Sequence, residues 1–206
     1  ELIDDEETDK SSVFGDILTG SNGGATTTAG TSPFVGGVTV TGGWGVYFNG
    51  TKVHNGIDLK PKDGVSTTIF PVGPGKVVKV VGSDTGYGNY VVIEHQLADG
   101  RTIYSTYAHM SAKSSLKVGD EVTSETKIGV MGSSGNSTGA HLHLDIYEKG
   151  KGSWDYHYQV NNYETVKPTD TMPSGVTYLD RMKDQWIDPQ TVIDGGDDYQ
   201  FLPVDK

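Results

Sequence analysis

The pair His141-Leu142-His143 and, far upstream, the pair formed by His54 and Asp58 supply three imidazoles and one carboxylate in H-x-H and H-x-x-x-D spacing. Neutral imidazole and carboxylate are good ligands for Zn²⁺, and a catalytic zinc site keeps three protein ligands and an open fourth position for water. A metal held in this way brings the pKa of its bound water toward neutrality and so provides the nucleophile that a hydrolase needs. The first reading of the chain is therefore a metallohydrolase. A two-histidine-one-carboxylate iron oxygenase in a jelly roll draws on a similar donor set. That alternative leaves the first histidine of the pair, and a further histidine at position 109, without a role.

These side chains can meet only if the elements that carry them converge. From Gly37 onward, short β-like segments follow one another at Val38–Thr41, Trp44–Phe48, His54–Lys60, Thr67–Phe70, Lys76–Val81, Tyr90–His95, Thr102–Tyr107, Ile128–Met131 and His141–Glu148. Turn signals separate them, among them Pro74-Gly75, Asp99-Gly100, Val118-Gly119-Asp120 and the run from Gly132 to Gly139. Many short strands at this spacing predict an all-β fold, an antiparallel sandwich or partly open barrel with a ligand-bearing groove. No helical periodicity extends over the length that an amphipathic helix needs.

Strand parity divides the residues into two sets, because side chains at i and i+2 share a face. In His141–Glu148, Leu142, Leu144 and Ile146 form an apolar face, and His141, His143 and Asp145 lie opposite. In His54–Lys60, Ile57 and Leu59 form the apolar face, leaving His54, Gly56 and Asp58 on the other. Gly56, between the two donors, has no side chain to obstruct a metal. His109 shares parity with Ile103, Ser105 and Tyr107 and is a candidate for the same cleft. His95 reads as a structural strand-end histidine, and His157 as a surface residue.

Composition narrows the function further. The 206 residues are enough for one good core, and 29 glycines with only 34% hydrophobic residues suit short strands and many turns. A net charge of −11 argues against nucleic acid and anionic membrane surfaces as partners. The absence of cysteine removes disulfides and thiolate metal sites. No apolar run approaches the ~20 residues of a membrane span, and no signal peptide is visible. A start at Glu1 suggests a processed form or part of a longer parent chain.

Residues 1–36 read as a flexible linker. It opens on Asp4-Asp5-Glu6-Glu7 and ends in a Gly/Ser/Thr stretch, with Val13, Phe14, Ile17 and Leu18 as material for one helical turn. Residues 37–195 form the expected domain, 149–183 an aromatic insertion carrying Trp154, Tyr156, Tyr158, Tyr163 and Tyr178, and 196–206 an acidic tail. Trp186-Ile187-Asp188-Pro189 has the look of a terminal strand or turn.

The motifs, in this order, resemble the lysostaphin- and LytM-type zinc metallopeptidases that cut peptidoglycan peptides. The resemblance runs from about Trp44 to Tyr147. It includes His54-Asn55-Gly56-Ile57-Asp58-Leu59, the stretch Gly86-Tyr87-Gly88-Asn89-Tyr90 leading to His95, Tyr107-Ala108-His109-Met110, and Gly132 to Gly139 before His141-Leu142-His143. The resemblance implies that His54, Asp58 and His143 are zinc ligands and that His109 and His141 are catalytic histidines beside the metal. It implies a bacterial peptidoglycan peptide as substrate, with an extracellular, wall-associated or phage-tail setting.

Two departures stand out. Some members place a tyrosine, thought to stabilise the oxyanion, about six residues before the first ligand, where this chain has Phe48 with Tyr47 beside it. The segment 149–183 is also longer than the resemblance leads one to expect. A catalytically inactive wall-binding or activator module of the same fold is the alternative, although such relatives lose ligands and all five positions are filled here.

Overall fold

The computed structural model describes residues 26–47, 50–64, 66–151, 167–172 and 174–204. Outside these lie Val13, Phe14, Ile17 and Leu18, Phe48, and the insertion residues Trp154, Tyr156, His157, Tyr158 and Tyr163. One antiparallel sheet organises the rest. Its strands are β10 (Glu121–Val122), β7 (Gly75–Val81), β8 (Asn89–Gln96), β9 (Thr102–Met110), β12 (Leu142–Glu148), β5 (Gly56–Pro61) and β2 (Val38–Gly42), in that order, with β13 (Trp186–Ile187) also paired to β12. Three two-stranded ribbons complete the β structure: β1 (Thr28–Ala29) with β14 (Gln200–Phe201), β3 (Gly45–Tyr47) with β4 (Lys52–His54), and β6 (Thr68–Ile69) with β11 (Gly129–Val130).

Alternation along β5, β9 and β12 sends Ile57, Leu59, Ile103, Tyr107, Leu142, Leu144 and Ile146 to one face, all buried. There they pack with Ile69, Val72, Ile128, Phe34, Val192 and Phe201, which come from the ribbons and connections. The opposite face carries His143 and Asp145. The sheet thus separates a dry core from a polar face, as the hydrophobic pattern predicts, and it is open rather than closed into a barrel.

Several local expectations are corrected. The predicted strand His54–Lys60 is two strands, broken at Asn55, with β4 paired to β3 and β5 paired to β2 and β12. Two short helices, α1 (Tyr178–Gln185) and α2 (Pro189–Ile193), occur where no helical periodicity was expected. They are too short to show a period, and their caps explain them. The Thr177 hydroxyl accepts from the Asp180 N–H, while the Asp188 carboxylate accepts from the Gln190 N–H with Pro189 at the first helical position.

Residues near both ends of the described chain also join the fold. Thr28–Ala29 pairs with Gln200–Phe201, the Thr31 N–H donates to the Val72 carbonyl, and Phe34 and Phe201 are buried in the core. A Cβ on Gly73 would lie 2.6 Å from the Phe201 ring, so the glycine makes room for it. Few apolar residues in a Gly/Ser/Thr-rich or acidic setting hide such contacts from a composition argument.

His95 is structural, as expected from its strand-end position. It is fully buried, with Nδ1 2.7 Å from the Pro74 carbonyl and Nε2 2.7 Å from Ser105 Oγ, which lies 2.9 Å from Tyr107 Oη. Burial pushes its pKa down to about 4 from 6.5, against the opposing pull of the Pro74 carbonyl and Glu94. Unfolding restores the higher value, so the unfolded chain binds the extra proton between these limits. The contribution is therefore complete above pH 6.5 and is lost as pH falls toward 4. Its size is about 3 kcal/mol. Thermal midpoints of the metal-free protein measured from pH 7.5 to 4 should fall less steeply for His95→Asn than for the parent chain. Parallel curves would refute this account.

Candidate metal centre and its flanking histidines

The three central strands bring the donors together. Pairing of β12 with β5 sets His143 directly opposite Asp58 and Asp145 opposite Gly56, while β9 sets Ala108 on the other side of His143. Directly paired residues have Cβ atoms ~5 Å apart, close enough for short polar side chains to touch. His54 reaches the same point from the end of β4, across the break at Asn55.

Among the described residues, His54, Asp58 and His143 offer ligand atoms that all lie within 4.8 Å of one another, and all three residues are buried. His54 Nε2 is 3.2 Å from His143 Nδ1, His143 Nδ1 is 3.2 Å from Asp58 Oδ1, and His54 Nε2 is 3.4 Å from Asp58 Oδ1. Tetrahedral ligands ~2.1 Å from a zinc ion lie ~3.4 Å from one another, so the spacing and the N₂O donor chemistry fit this ion. The space is shaped as well. A Cβ on Gly56 would lie 2.4 Å from the Leu144 carbonyl oxygen and 2.8 Å from His143 Cε1, so both the neighbouring main chain and the imidazole of His143 need the glycine.

Each imidazole is oriented through its other nitrogen. His54 Nδ1 is 2.7 Å from the Gly43 carbonyl, His109 Nδ1 is 2.8 Å from that of Ser134, and His141 Nδ1 is 2.8 Å from that of Gly139. A carbonyl only accepts, so each of these rings donates from Nδ1 and keeps Nε2 as its basic nitrogen. His143 is turned the other way. Its Nδ1 faces Asp58, and its buried Nε2 lies 3.4 Å from Asp145 Oδ2 without an aligned hydrogen bond.

The flanking pair completes the cluster. The His109 and His141 rings are 4.8 Å apart between centroids, and His141 Nε2 is 3.5 Å from Asp58 Oδ1. His109 arrives by a route that parity alone misses. Ile103, Ser105 and Tyr107, whose parity it shares, face the core rather than the cleft. Between the pairs Val91–Tyr107 and Asn89–Met110 the ladder holds one extra residue on β9, and His109 there adopts a left-handed φ of 61°. This bulge turns the imidazole to the polar face, at a cost of ~1 kcal/mol for a non-glycine residue. The His109 N–H donates to the Tyr87 carbonyl, and Ser134 Oγ donates to the Met110 carbonyl while accepting from the Asn89 N–H. These contacts lock the bend.

Electrostatics follow from burial and proximity. Burial acts to raise the Asp58 pKa, but the His143 and His54 imidazoles in contact with it hold it far below the ordinary carboxylate range. For His143, burial acts downward, and Asp145 and Asp58 outweigh it, raising the pKa to about 9. Burial, reinforced by the His143 and His141 charges, lowers His109 to about 4 despite the Ser134 carbonyl and Asp58. Its imidazole is a free base at neutral pH.

All five sequence-predicted residues of the cluster thus lie together. Tyr47 has its backbone in β3, paired with Lys52 and two residues from Gly45, which pairs with His54. Sequence reasoning passed over Asn55, Tyr87 and Ser134 as parts of the site. Asn55 and Tyr87 carried a signal in flanking the ligand and the glycine turn, whereas Ser134 was indistinguishable from the other serines of its loop.

The chain is similar in sequence to known peptidases. Over 98 residues the chain is 37% identical to the peptidoglycan DD-endopeptidase ShyA of Vibrio cholerae, covering 48% of this chain and 21% of that protein. Over 100 residues it is 36% identical to the DD-carboxypeptidase/endopeptidase Mpg of Neisseria meningitidis, with 48% and 21% covered. The chain spans about a fifth of the length of the curated relatives it matches. Among solved structures, cbpa from L. salivarius REN superposes with a TM-score of 0.51 at 22% identity, covering 81% of this chain and 95% of that one, which speaks to the fold. The model of peptidase family M23 matches residues 52–154, half of the sequence, and that span holds all five residues of the cluster; the chain belongs to peptidase family M23.

Proposed function

We propose that the chain is a zinc endopeptidase that hydrolyses peptide cross-links or bridges of bacterial peptidoglycan. The observation that carries this reading is the convergence of His54 Nε2, Asp58 Oδ1 and His143 Nδ1 to within 3.4 Å of one another, with His109 and His141 alongside. The peptidoglycan endopeptidase names of its relatives supply the substrate class.

In this reading His54, Asp58 and His143 hold the ion, the carboxylate contributing one negative charge and the imidazoles none. Zinc so bound supplies Lewis acidity and an activated water. His109 and His141, each tied by Nδ1 to a main-chain carbonyl, present Nε2 for proton transfer. One takes the proton of the attacking water, and either returns a proton to the departing amine. Tyr47 is the candidate to stabilise the oxyanion, from a strand paired directly with the one that ends at His54. The setting is the cell wall reached from outside, in a secreted protein or a phage tail and within a longer parent chain. At a net charge of −11 no general attraction draws the protein to an anionic wall, so delivery depends on a specific contact or tether.

Purified protein should contain zinc and release peptides from isolated peptidoglycan, and mass analysis of those fragments identifies the bond cut. His143→Ala should lose both bound zinc and lysis. His109→Ala should keep its zinc while lysis falls by 10²–10⁴-fold, roughly the worth of a general acid or base; full activity in that variant would remove His109 from the mechanism. Gly56→Ala should lower the thermal midpoint of the metal-free protein, by about 1–3 kcal/mol of stability, because its methyl group meets main chain and the His143 ring.

A further inference from the structure

We infer that Asp145, held by Tyr87 and Asn55, is a positioning residue that sets which nitrogen of His143 is offered to the metal. The inference rests on the proposed role of His143 as a ligand. Three of the four imidazoles in the cluster are fixed by main-chain carbonyls, and His143 alone has a carboxylate at its second nitrogen.

Asp145 is 2% exposed and sits two residues beyond His143 on the same face of β12. The Tyr87 hydroxyl donates to Asp145 Oδ2 at 2.5 Å, and Asn55 Nδ2 donates to the same oxygen at 3.3 Å and to Tyr87 Oη at 3.0 Å. The Tyr87 ring also lies against the His143 ring, with centroids 5.1 Å apart and planes 32° from parallel. A buried carboxylate fixed on that side calls for a proton on Nε2, which leaves the lone pair on Nδ1, the atom facing Asp58 and His54. The 3.4 Å gap between Nε2 and Asp145 Oδ2 is long for a hydrogen bond.

Tyr87 belongs to the same device by three routes. It orients Asp145 through its hydroxyl, covers His143 with its ring and anchors the bulge through its carbonyl, which accepts from the His109 N–H. Asn55 occupies the break between β4 and β5, so the interruption that separates His54 from Asp58 also places an amide against Asp145. A hydroxyl committed to Asp145 removes Tyr87 from consideration as an oxyanion donor.

The test is zinc affinity, measured by competition with a chromophoric chelator, alongside the thermal midpoint of each metal-free protein. Asp145→Asn should bind zinc 10–100-fold more weakly, the range found when a partner of a ligating histidine is lost. Tyr87→Phe should weaken binding by a smaller factor, and Asp145→Glu should recover part of the loss because it keeps the carboxylate. The metal-free midpoints of Tyr87→Phe and Asp145→Glu should stay near that of the parent. Unchanged affinity in Asp145→Asn and Tyr87→Phe would overturn the inference while leaving the metal centre intact. Affinity that falls only in step with the metal-free midpoint would reduce these residues to packing. Should Asp145→Asn fail to fold, Tyr87→Phe decides alone. Failure of the parent chain itself to bind zinc would instead sink the metal centre, and this inference with it.

Discussion

Asp58 is 4% exposed, and an ionised carboxylate removed from water costs several kcal/mol unless neighbouring groups replace its hydration. Here the replacement is the pair of imidazoles within 3.4 Å of it. Neither imidazole is secure without its own second partner, so demand passes outward, to the Gly43 carbonyl behind His54 and to Asp145 behind His143. The arrangement of β5, β9 and β12 follows from this need. The antiparallel pairing of β12 with β5 puts Asp58 and His143 face to face, and glycine at position 56 leaves space for the Leu144 carbonyl and the His143 ring. Removal of either partner would strand a buried charge, and it is this penalty that ties the central strands to the chemistry.

The sheet makes this possible by keeping two incompatible environments on its two faces. One is lined by Leu142, Leu144, Ile146, Ile57 and Leu59, all essentially without solvent contact. The other must hold titratable groups at fixed orientation. A pleated strand switches between them every residue, so one added residue transfers a side chain from the first environment to the second. The bulge on β9 uses that rule. Tyr107 stays in the core with its hydroxyl accepting from the Val72 N–H, and His109, two positions on, emerges beside His141.

What could be read in the chain beforehand follows the same division. The convergence of His54, Asp58, His141 and His143 was legible because H-x-x-x-D and H-x-H carry their own parity and apolar counterparts. The proposed roles of these residues and of His109 come from the family resemblance. The direction of His109 was not legible, since its parity with Ile103, Ser105 and Tyr107 points to the core and nothing local announces the extra residue. The β1–β14 ribbon was hidden by the composition of its surroundings, and α1 and α2 by their length. Partners such as Tyr87 and Asn55 were out of reach for another reason: their contacts join positions up to 90 residues apart, and no periodicity encodes them.

The orienting acceptors behind His54, His109 and His141 are all peptide oxygens, at Gly43, Ser134 and Gly139. A peptide oxygen is present whatever side chain the codon specifies. Drift in those loops can therefore alter residue identity without erasing the acceptor, provided the backbone path survives. Only behind His143 does orientation depend on a carboxylate that a single nucleotide change can delete. The cluster is thus unevenly protected against genetic variation, and its vulnerable quarter is the ring most enclosed by other side chains.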